Sequence, residues 1–218
     1  MIRVFLVDDH PIVRHGMAQL VAAEADLAVC GDAADAASAL EAIAAADPGV
    51  IILDVSLGAT SGIDLIRELK QRAPHAVVLV VSMHDEELYA ERALRAGASG
   101  YVMKHEATQS ILRAIRSVAA GGVFVSEAVS ARLLGRWAAG GASDASPLGK
   151  LSNRELHVLE LIGRGMGTRA IAEQLQVSVK TVESYRARLK DKMNLRSGTE
   201  LTRFAVHWAT EDRKRDEH

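Results

Sequence analysis

The sequence predicts an α/β domain, a doubly wound five-stranded parallel sheet, followed by a second, smaller all-α domain. Three observations predict it. Short runs rich in β-branched residues alternate with helix-periodic stretches through about residue 120. Residues 138–147 (AAGGASDASP) are small, Gly- and Ser-rich and unpatterned, which is the composition of a flexible linker. Beyond them the apolar spacing is helical throughout. The expected boundaries are 1–121 for the α/β domain, 122–147 for a connecting helix and linker, and 148–212 for the helical domain.

Strands are expected near 2–7, 27–31, 49–53, 77–81 and 99–102, and helices over 11–23, 35–46, 62–72, 85–96 and 107–120. Asp35, Asp85 and Thr108 suit N-cap or first-turn positions, and Gly97 suits a helix stop. Five βα units of this kind require right-handed crossovers. Cys30 lies in the strand-like LAVCG and reads as core filler. Residues 121–137 open on a glycine pair and continue as a short helix.

In the C-terminal part, Ser152 and Glu155 have the spacing of a capping box, opening a helix with Leu156, Leu159 and Ile162 on one stripe. Gly163, Gly165 and Gly167 break it. A second helix from about Thr168 buries Ile171, Ala172 and Leu175. After Gln176-Val177-Ser178, a third is capped by Ser178 and turns Val182, Leu189 and Met193 inward. A fourth, about 199–209, carries Leu201, Phe204, Ala205 and Trp208 on one stripe, either closing the monomer core or pairing with a second copy. The mixed-sign tail from Arg213 reads as a frayed end.

The 218-residue chain has a formal net charge of −2, which hides an asymmetry. Residues 1–149 carry 12 Lys/Arg against 18 Asp/Glu, and residues 150–218 carry 14 against 10. An acidic half joined to a basic half suggests a metal or signalling domain joined to a polyanion binder. A single cysteine allows no internal disulfide, as expected of a reducing cytoplasm. No signal peptide is visible, and no apolar run approaches the roughly 18 residues of a membrane span, so no membrane partner is expected.

Asp8 and Asp9 end the run IRVFLV, Asp54 ends VIIL, and Lys104 ends GYVM. Parallel strands place their carboxyl ends on one edge of the sheet, where open α/β folds keep their chemistry. Three carboxylates and an ammonium therefore converge. The carboxylates need a cation to stay ionised together, and Mg²⁺, which prefers hard oxygen ligands, is the natural one. Beside it a carboxylate can attack a phosphoryl group while Lys104 neutralises the developing charge. The site reads as a phosphorylatable aspartate.

These residues, with Gly62, Ser82 after VVLVV and the stretch AGASGY at 96–101, resemble response-regulator receiver domains (flavodoxin-like) over about the first 120 residues. The resemblance implies that Asp54 accepts the phosphoryl group, with Asp9 on Mg²⁺ and Asp8 on it directly or through water. It makes the Ser56 backbone carbonyl a third protein ligand beside the carboxylates. It gives Ser82 and Lys104 the phosphate oxygens, and Tyr101 the place of the aromatic that rotates on activation. The chain departs twice from the family's pattern. Leu57-Gly58 stands where Met-Pro is usual, and His105 where many receivers have Pro. The first loosens the loop beside the metal and the second removes a cis-peptide signal, so both bear on rates.

Two helices joined by a short turn, the second with Lys180, Glu183, Ser184, Ala187 and Arg188 on its outer face, form a helix-turn-helix arrangement. LSNRELHVLELIGRG and IAEQLQVSVKTVESYRARLKDKMNL resemble the DNA-binding domain of LuxR-type and NarL/FixJ-type regulators over about 60 residues. The resemblance implies that 179–192 is a recognition helix in the major groove of double-stranded DNA. By position Lys180, Glu183, Ser184 and Ala187 would approach base edges; Thr181, Tyr185, Arg186, Arg188 and Lys192 are placed for phosphates or for the helix's own packing. Gly167-Thr168-Arg169-Ala170 replaces the family's usual Ser-Asn-Lys-Glu.

The expectation is a cytoplasmic two-component response regulator of the NarL/FixJ type, not an enzyme. A sensor histidine kinase would phosphorylate it, and a homodimer would form on phosphorylation or on DNA. The enzyme-class alternative is a Mg²⁺-dependent aspartyl-phosphate phosphotransferase or phosphatase, which would need a second acid/base and a substrate pocket. A LuxR-type small-ligand sensor would lack the acid cluster, and no G-x-G-x-x-G supports a dinucleotide fold. His10, His15, His75, His84, His105 and His157 show no H-E-x-x-H spacing and read as loop or surface residues, with His84 near enough to the site to tune water access.

Overall fold

The computed structural model describes residues 1–58, 60–138 and 147–216. The expected linker at 138–147 falls largely outside them. The chain divides into two compact units, Met1–Gly141 and Ala142–His218.

The first unit alternates β1 (Ile2–Val7), α1 (Pro11–Ala22), β2 (Leu27–Ala33), α2 (Ala36–Ala46) and β3 (Val50–Leu53). A small antiparallel ribbon follows, β4 (Ser56–Leu57) and β5 (Thr60–Ser61), which the sequence reading lacked. Then come α3 (Gly62–Arg72), β6 (Val77–Ser82), α4 (Glu86–Ala96), β7 (Gly100–Met103), α5 (Thr108–Ala119) and α6 (Glu127–Ala138). The five-stranded sheet is parallel, in the order β2-β1-β3-β6-β7. Side chains alternate across it: Val4, Leu6, Val50, Ile52, Leu79, Val81 and Val102 form one core with Val21 of α1 and Ile111, Leu112, Ile115 and Val118 of α5. Helices α2, α3 and α4 lie on the other face. Burial on both faces is why these strands read as unbroken apolar runs.

Local chemistry fixes the helix ends. The Asp35 carboxylate accepts from the Ser38 amide, Asp85 from that of Glu87, and Gly97 ends α4 with φ +111°. Gly62 has a steric reason to be glycine, since a Cβ there would stand 1.9 Å from the Asp54 carbonyl oxygen. At Cys30 the expectation of core filler needs correcting. The β1–β2 register shifts between Val4 and Phe5, opposite Val29 and Gly31, leaving Cys30 as the bulged residue and only half-buried.

The unit continues past the expected boundary at 121. Phe124 pairs with the outer edge of β7: its carbonyl accepts from the Tyr101 amide at 2.8 Å and its amide donates to Ser99 at 3.0 Å. Helix α6 is then held on α4. The Ser126 hydroxyl donates to Glu86 at 2.6 Å, Arg132 to the Glu87 carbonyl, and Arg136 pairs with Glu91 at 2.5 Å. These tertiary contacts join α6, expected as part of the connection, to the α/β body.

In the second unit a 3₁₀ turn (Pro147–Lys150) precedes α7 (Asn153–Gly163), α8 (Thr168–Gln174), α9 (Val179–Met193) and α10 (Gly198–Asp216). The capping box forms as spelled: Ser152 Oγ accepts from the Glu155 amide and Glu155 accepts from the Ser152 amide. Leu156, Leu159, Ile162, Ile171, Leu175, Val182, Leu189, Leu201 and Ala205 are all buried. Gln176, with φ +53°, makes the turn between α8 and α9. Helix α10 runs further than the expected 199–209. It crosses α7 so closely that a Cβ on Gly163 would meet the Ala205 carbonyl oxygen at 2.7 Å. Leu201 and Ala205 are thereby spent on the monomer core, while Phe204 and Trp208 are half-buried.

Candidate functional site

The sheet delivers the acidic residues as expected. Asp8 and Asp9 follow β1, Asp54 follows β3 with its amide on the Val7 carbonyl at 2.9 Å, and Lys104 follows β7 with its amide on the Ser82 carbonyl at 2.8 Å. Lys104 Nζ lies 2.7 Å from Asp8 Oδ2 and 2.7 Å from Asp54 Oδ2. Burial pushes the Asp54 carboxyl above the usual carboxylate range, against the pull of Lys104. Burial would lower Lys104, but Asp54 and Asp8 outweigh it and hold the ammonium above its ordinary value.

Asp9 is arranged differently. Its Oδ2 accepts from the Gly58 amide at 3.0 Å. Its Oδ1 is buried without a hydrogen-bond partner among the described residues. His10 Nδ1 stands 2.7 Å from that oxygen. One ligand atom from each of Asp8, Asp9, His10 and Asp54 lies within 4.8 Å of the others. Three carboxylates gathered against one ammonium are a donor set that fits a hard divalent cation.

Ser82 is fully buried, and its Oγ accepts from the His84 amide at 3.2 Å. The buried Tyr101 hydroxyl donates to the His84 carbonyl at 2.7 Å. Ser56 Oγ and His84 Nε2 are 2.7 Å apart. The residues expected to handle phosphate and switching therefore meet at His84.

Sequence reasoning missed two supports. Arg14 donates to the Asp8 carbonyl and to Asp32, at 2.7 Å each, fixing the backbone that carries the acid pair. Its signal was a basic residue one turn into the helix that follows that pair. His10, read as a loop histidine, borders the acid cluster.

On α9 the outer face is as the spacing suggested: Lys180, Glu183, Ser184, Ala187 and Arg188 are exposed. Thr181, Tyr185 and Arg186 are half-buried. Ser184 Oγ donates to the Lys180 carbonyl at 3.0 Å, and Thr181 Oγ1 lies 2.7 Å from the Ser178 cap hydroxyl. Lys192 is turned to its own domain, 2.6 Å from Glu155 and 3.2 Å from the Lys150 carbonyl. Burial would raise Glu155, but bonds from Lys192 and Ser152 hold its carboxyl below the usual range. Among the described residues no helix is long and apolar enough to cross a membrane.

Comparison with known proteins agrees with both halves. Residues 4–116 match the response regulator receiver domain, and residues 149–205 match the luxR family of bacterial regulatory proteins. The oxygen regulatory protein NreC of Staphylococcus carnosus is 32% identical over 209 residues, spanning 94% of this chain and 96% of NreC. The DNA-binding transcriptional activator DevR/DosR of Mycobacterium tuberculosis is 35% identical over 206 residues, spanning 94% of each. RcsB of Salmonella enterica serovar Typhimurium, solved on promoter rprA with the phosphomimetic BeF3-, superposes with a TM-score of 0.60 at 27% identity, over 94% of this chain and 98% of that one. Since the likeness runs through both domains and nearly end to end, the chain belongs to the two-component response regulators of the NarL/FixJ type, transcription regulators that join a receiver to a LuxR-type helix-turn-helix.

Proposed function

We propose that Asp54 is the phosphoacceptor of this regulator and that a sensor histidine kinase is its donor. The observation that carries the reading is Lys104, shared at 2.7 Å between Asp54 and Asp8. An ammonium so placed neutralises charge on whatever Asp54 becomes. The carboxylate oxygen of Asp54 attacks the phosphorus of the phosphohistidine, the P–N bond breaks, and the imidazole leaves with the electron pair. Asp8, Asp9 and Asp54, with the Ser56 carbonyl, would hold Mg²⁺, which supplies charge neutralisation at the transferring oxygens. Ser82 and Lys104 would receive the new phosphate oxygens. Moving Ser82 breaks its bond with the His84 amide, and His84 also anchors Tyr101, so the two switch residues change together. Intact-mass measurement with Mg²⁺ and a small phosphodonor tests this. The unsubstituted chain should gain one phosphoryl group, and chelator or Asp54→Asn should abolish the gain. Labelling of Asp54→Asn would overturn the assignment.

In the second domain we propose that α9 enters the major groove of double-stranded DNA, with Lys180, Glu183, Ser184 and Ala187 toward base edges and Arg186 and Arg188 toward phosphates. Thr181 and Tyr185 support the helix, and Lys192 braces it through Glu155. A homodimer formed on phosphorylation or on DNA would set two such helices on paired half-sites. Binding to DNA in this way would put the protein's work in the cytoplasm.

A further inference from the structure

We propose that the Gly58 backbone amide is a positioning group for the cation at the acidic site, acting through Asp9. The inference rests on the Mg²⁺ reading given above. Gly58 stands at the turn of the β4–β5 ribbon with φ +50°, and its amide donates to Asp9 Oδ2 at 3.0 Å across 49 residues of sequence. The receivers that this chain resembles usually have proline there, and proline has no N–H to give. The sequence change that read as a mere loosening of the loop thus supplies a hydrogen bond that a proline at this position could not.

That bond acts on a metal ligand. A free aspartate carboxylate rotates between equivalent orientations. Here the Gly58 amide holds Oδ2, which fixes the plane of the carboxylate. Oδ1 lies 2.7 Å from His10 Nδ1 at the rim of the acid cluster. The other two carboxylates are already committed, each with one oxygen on Lys104. Asp9 has no share in Lys104 among the described contacts, so the Gly58 bond is what orients it toward the other donors before the cation arrives. Orienting a ligand from behind is the usual work of outer-shell hydrogen bonds, and their loss costs 10- to 100-fold in metal affinity, as an order of magnitude. The amide also takes up the charge of Asp9 Oδ2 in the free protein, which lessens repulsion among the three acids.

Two substitutions separate the amide from the side chain. Gly58→Pro removes the N–H. Gly58→Asn keeps it, and asparagine tolerates positive φ. Metal affinity is read directly on the full chain, by titration calorimetry with Mg²⁺ and by the free-ion signal of Mn²⁺ in electron paramagnetic resonance. Gly58→Pro should bind about 10- to 100-fold more weakly, and Gly58→Asn within about twofold of the unsubstituted chain. Equal affinity in Gly58→Pro, or an equal loss in Gly58→Asn, would overturn the proposal. Absence of metal binding by the unsubstituted chain would instead remove the Mg²⁺ reading, and this inference with it. Because proline strains the ribbon, a second measurement avoids that site: amide hydrogen exchange at Gly58, without metal, in Asp9→Ala. Exchange there should quicken while Gly62, bonded to the Val55 carbonyl, stays as protected as before. Unchanged exchange at Gly58 would count against the bond and the role built on it.

Discussion

The residues that carry this site differ in how openly the sequence announces them. Asp8, Asp9, Asp54 and Lys104 are legible because each ends an apolar run, and parallel strands gather such ends. Arg14 and Gly58 are not, since their contacts depend on which way a helix faces and where a loop tip comes to rest. Lys192 shows the same limit in the other domain: its charge and helix position fit a phosphate contact as well as an internal brace, and its Glu155 partner is not visible in the spacing. Breaking that pair should cost about 1–2 kcal/mol, because it leaves a buried carboxylate short of a partner. The pH dependence follows. Glu155 titrates below its ordinary value in the folded chain, so its contribution is full above the ordinary glutamate range and is lost as pH falls through the lowered folded value. Urea unfolding at several pH values should show a shallower acid limb in Glu155→Gln. Lys192→Ala should lose stability with no change in the salt dependence of DNA binding, whereas Arg188→Ala should lower that slope by about one unit. A lowered slope in Lys192→Ala at undiminished stability would make it a phosphate contact instead.

At the scale of elements, the strands and most helices were legible because period and end signals agreed: apolar runs for β1, β3 and β6, and aspartate caps for α2 and α4. What escaped was tertiary in origin. The bulge at Cys30 is followed by Gly31 packed against Phe5, where a Cβ would stand 2.7 Å from the ring. The β4–β5 ribbon is too short to show a period. Two glycines inside helices give a sharp test of this division between local and tertiary causes. Gly135 in α6 has nothing within 4 Å of the place its Cβ would take. Gly135→Ala should therefore stabilise the chain by up to about 1 kcal/mol, following helix propensity. Gly163 faces the α10 backbone, so Gly163→Ala should destabilise by about 1–3 kcal/mol despite the same propensity gain. Equilibrium denaturation reads both, and effects of the same sign would show that propensity, not the α7–α10 approach, governs Gly163.

At the scale of the molecule, composition and charge announced two unlike halves, and the break near the small-residue stretch was visible. The place of α6 was not, because its attachment rests on ion pairs with α4 rather than on any pattern of its own. Two units of separate chemistry should respond separately to a ligand that only one can hold. On the proposed Mg²⁺ reading, a hundredfold excess over the dissociation constant would stabilise the receiver by about 2.7 kcal/mol. Scanning calorimetry should show the receiver's transition move upward, and Asp9→Asn should erase the shift. A shift that survives Asp9→Asn would place the cation elsewhere.

The pairing of Phe124 with β7 bears on how copies of this chain can meet. An open parallel sheet has two free margins, each a row of amides and carbonyls ready to accept a strand from a neighbour. Here one margin, β7, is blocked at its start by the backbone at Phe124, and the other, β2, carries the bulge at Cys30. Neither offers a straight template. Strand exchange and sheet-to-sheet growth are thereby disfavoured, so the proposed homodimer would have to join through helical surfaces, contacts that can be released when the signal ends.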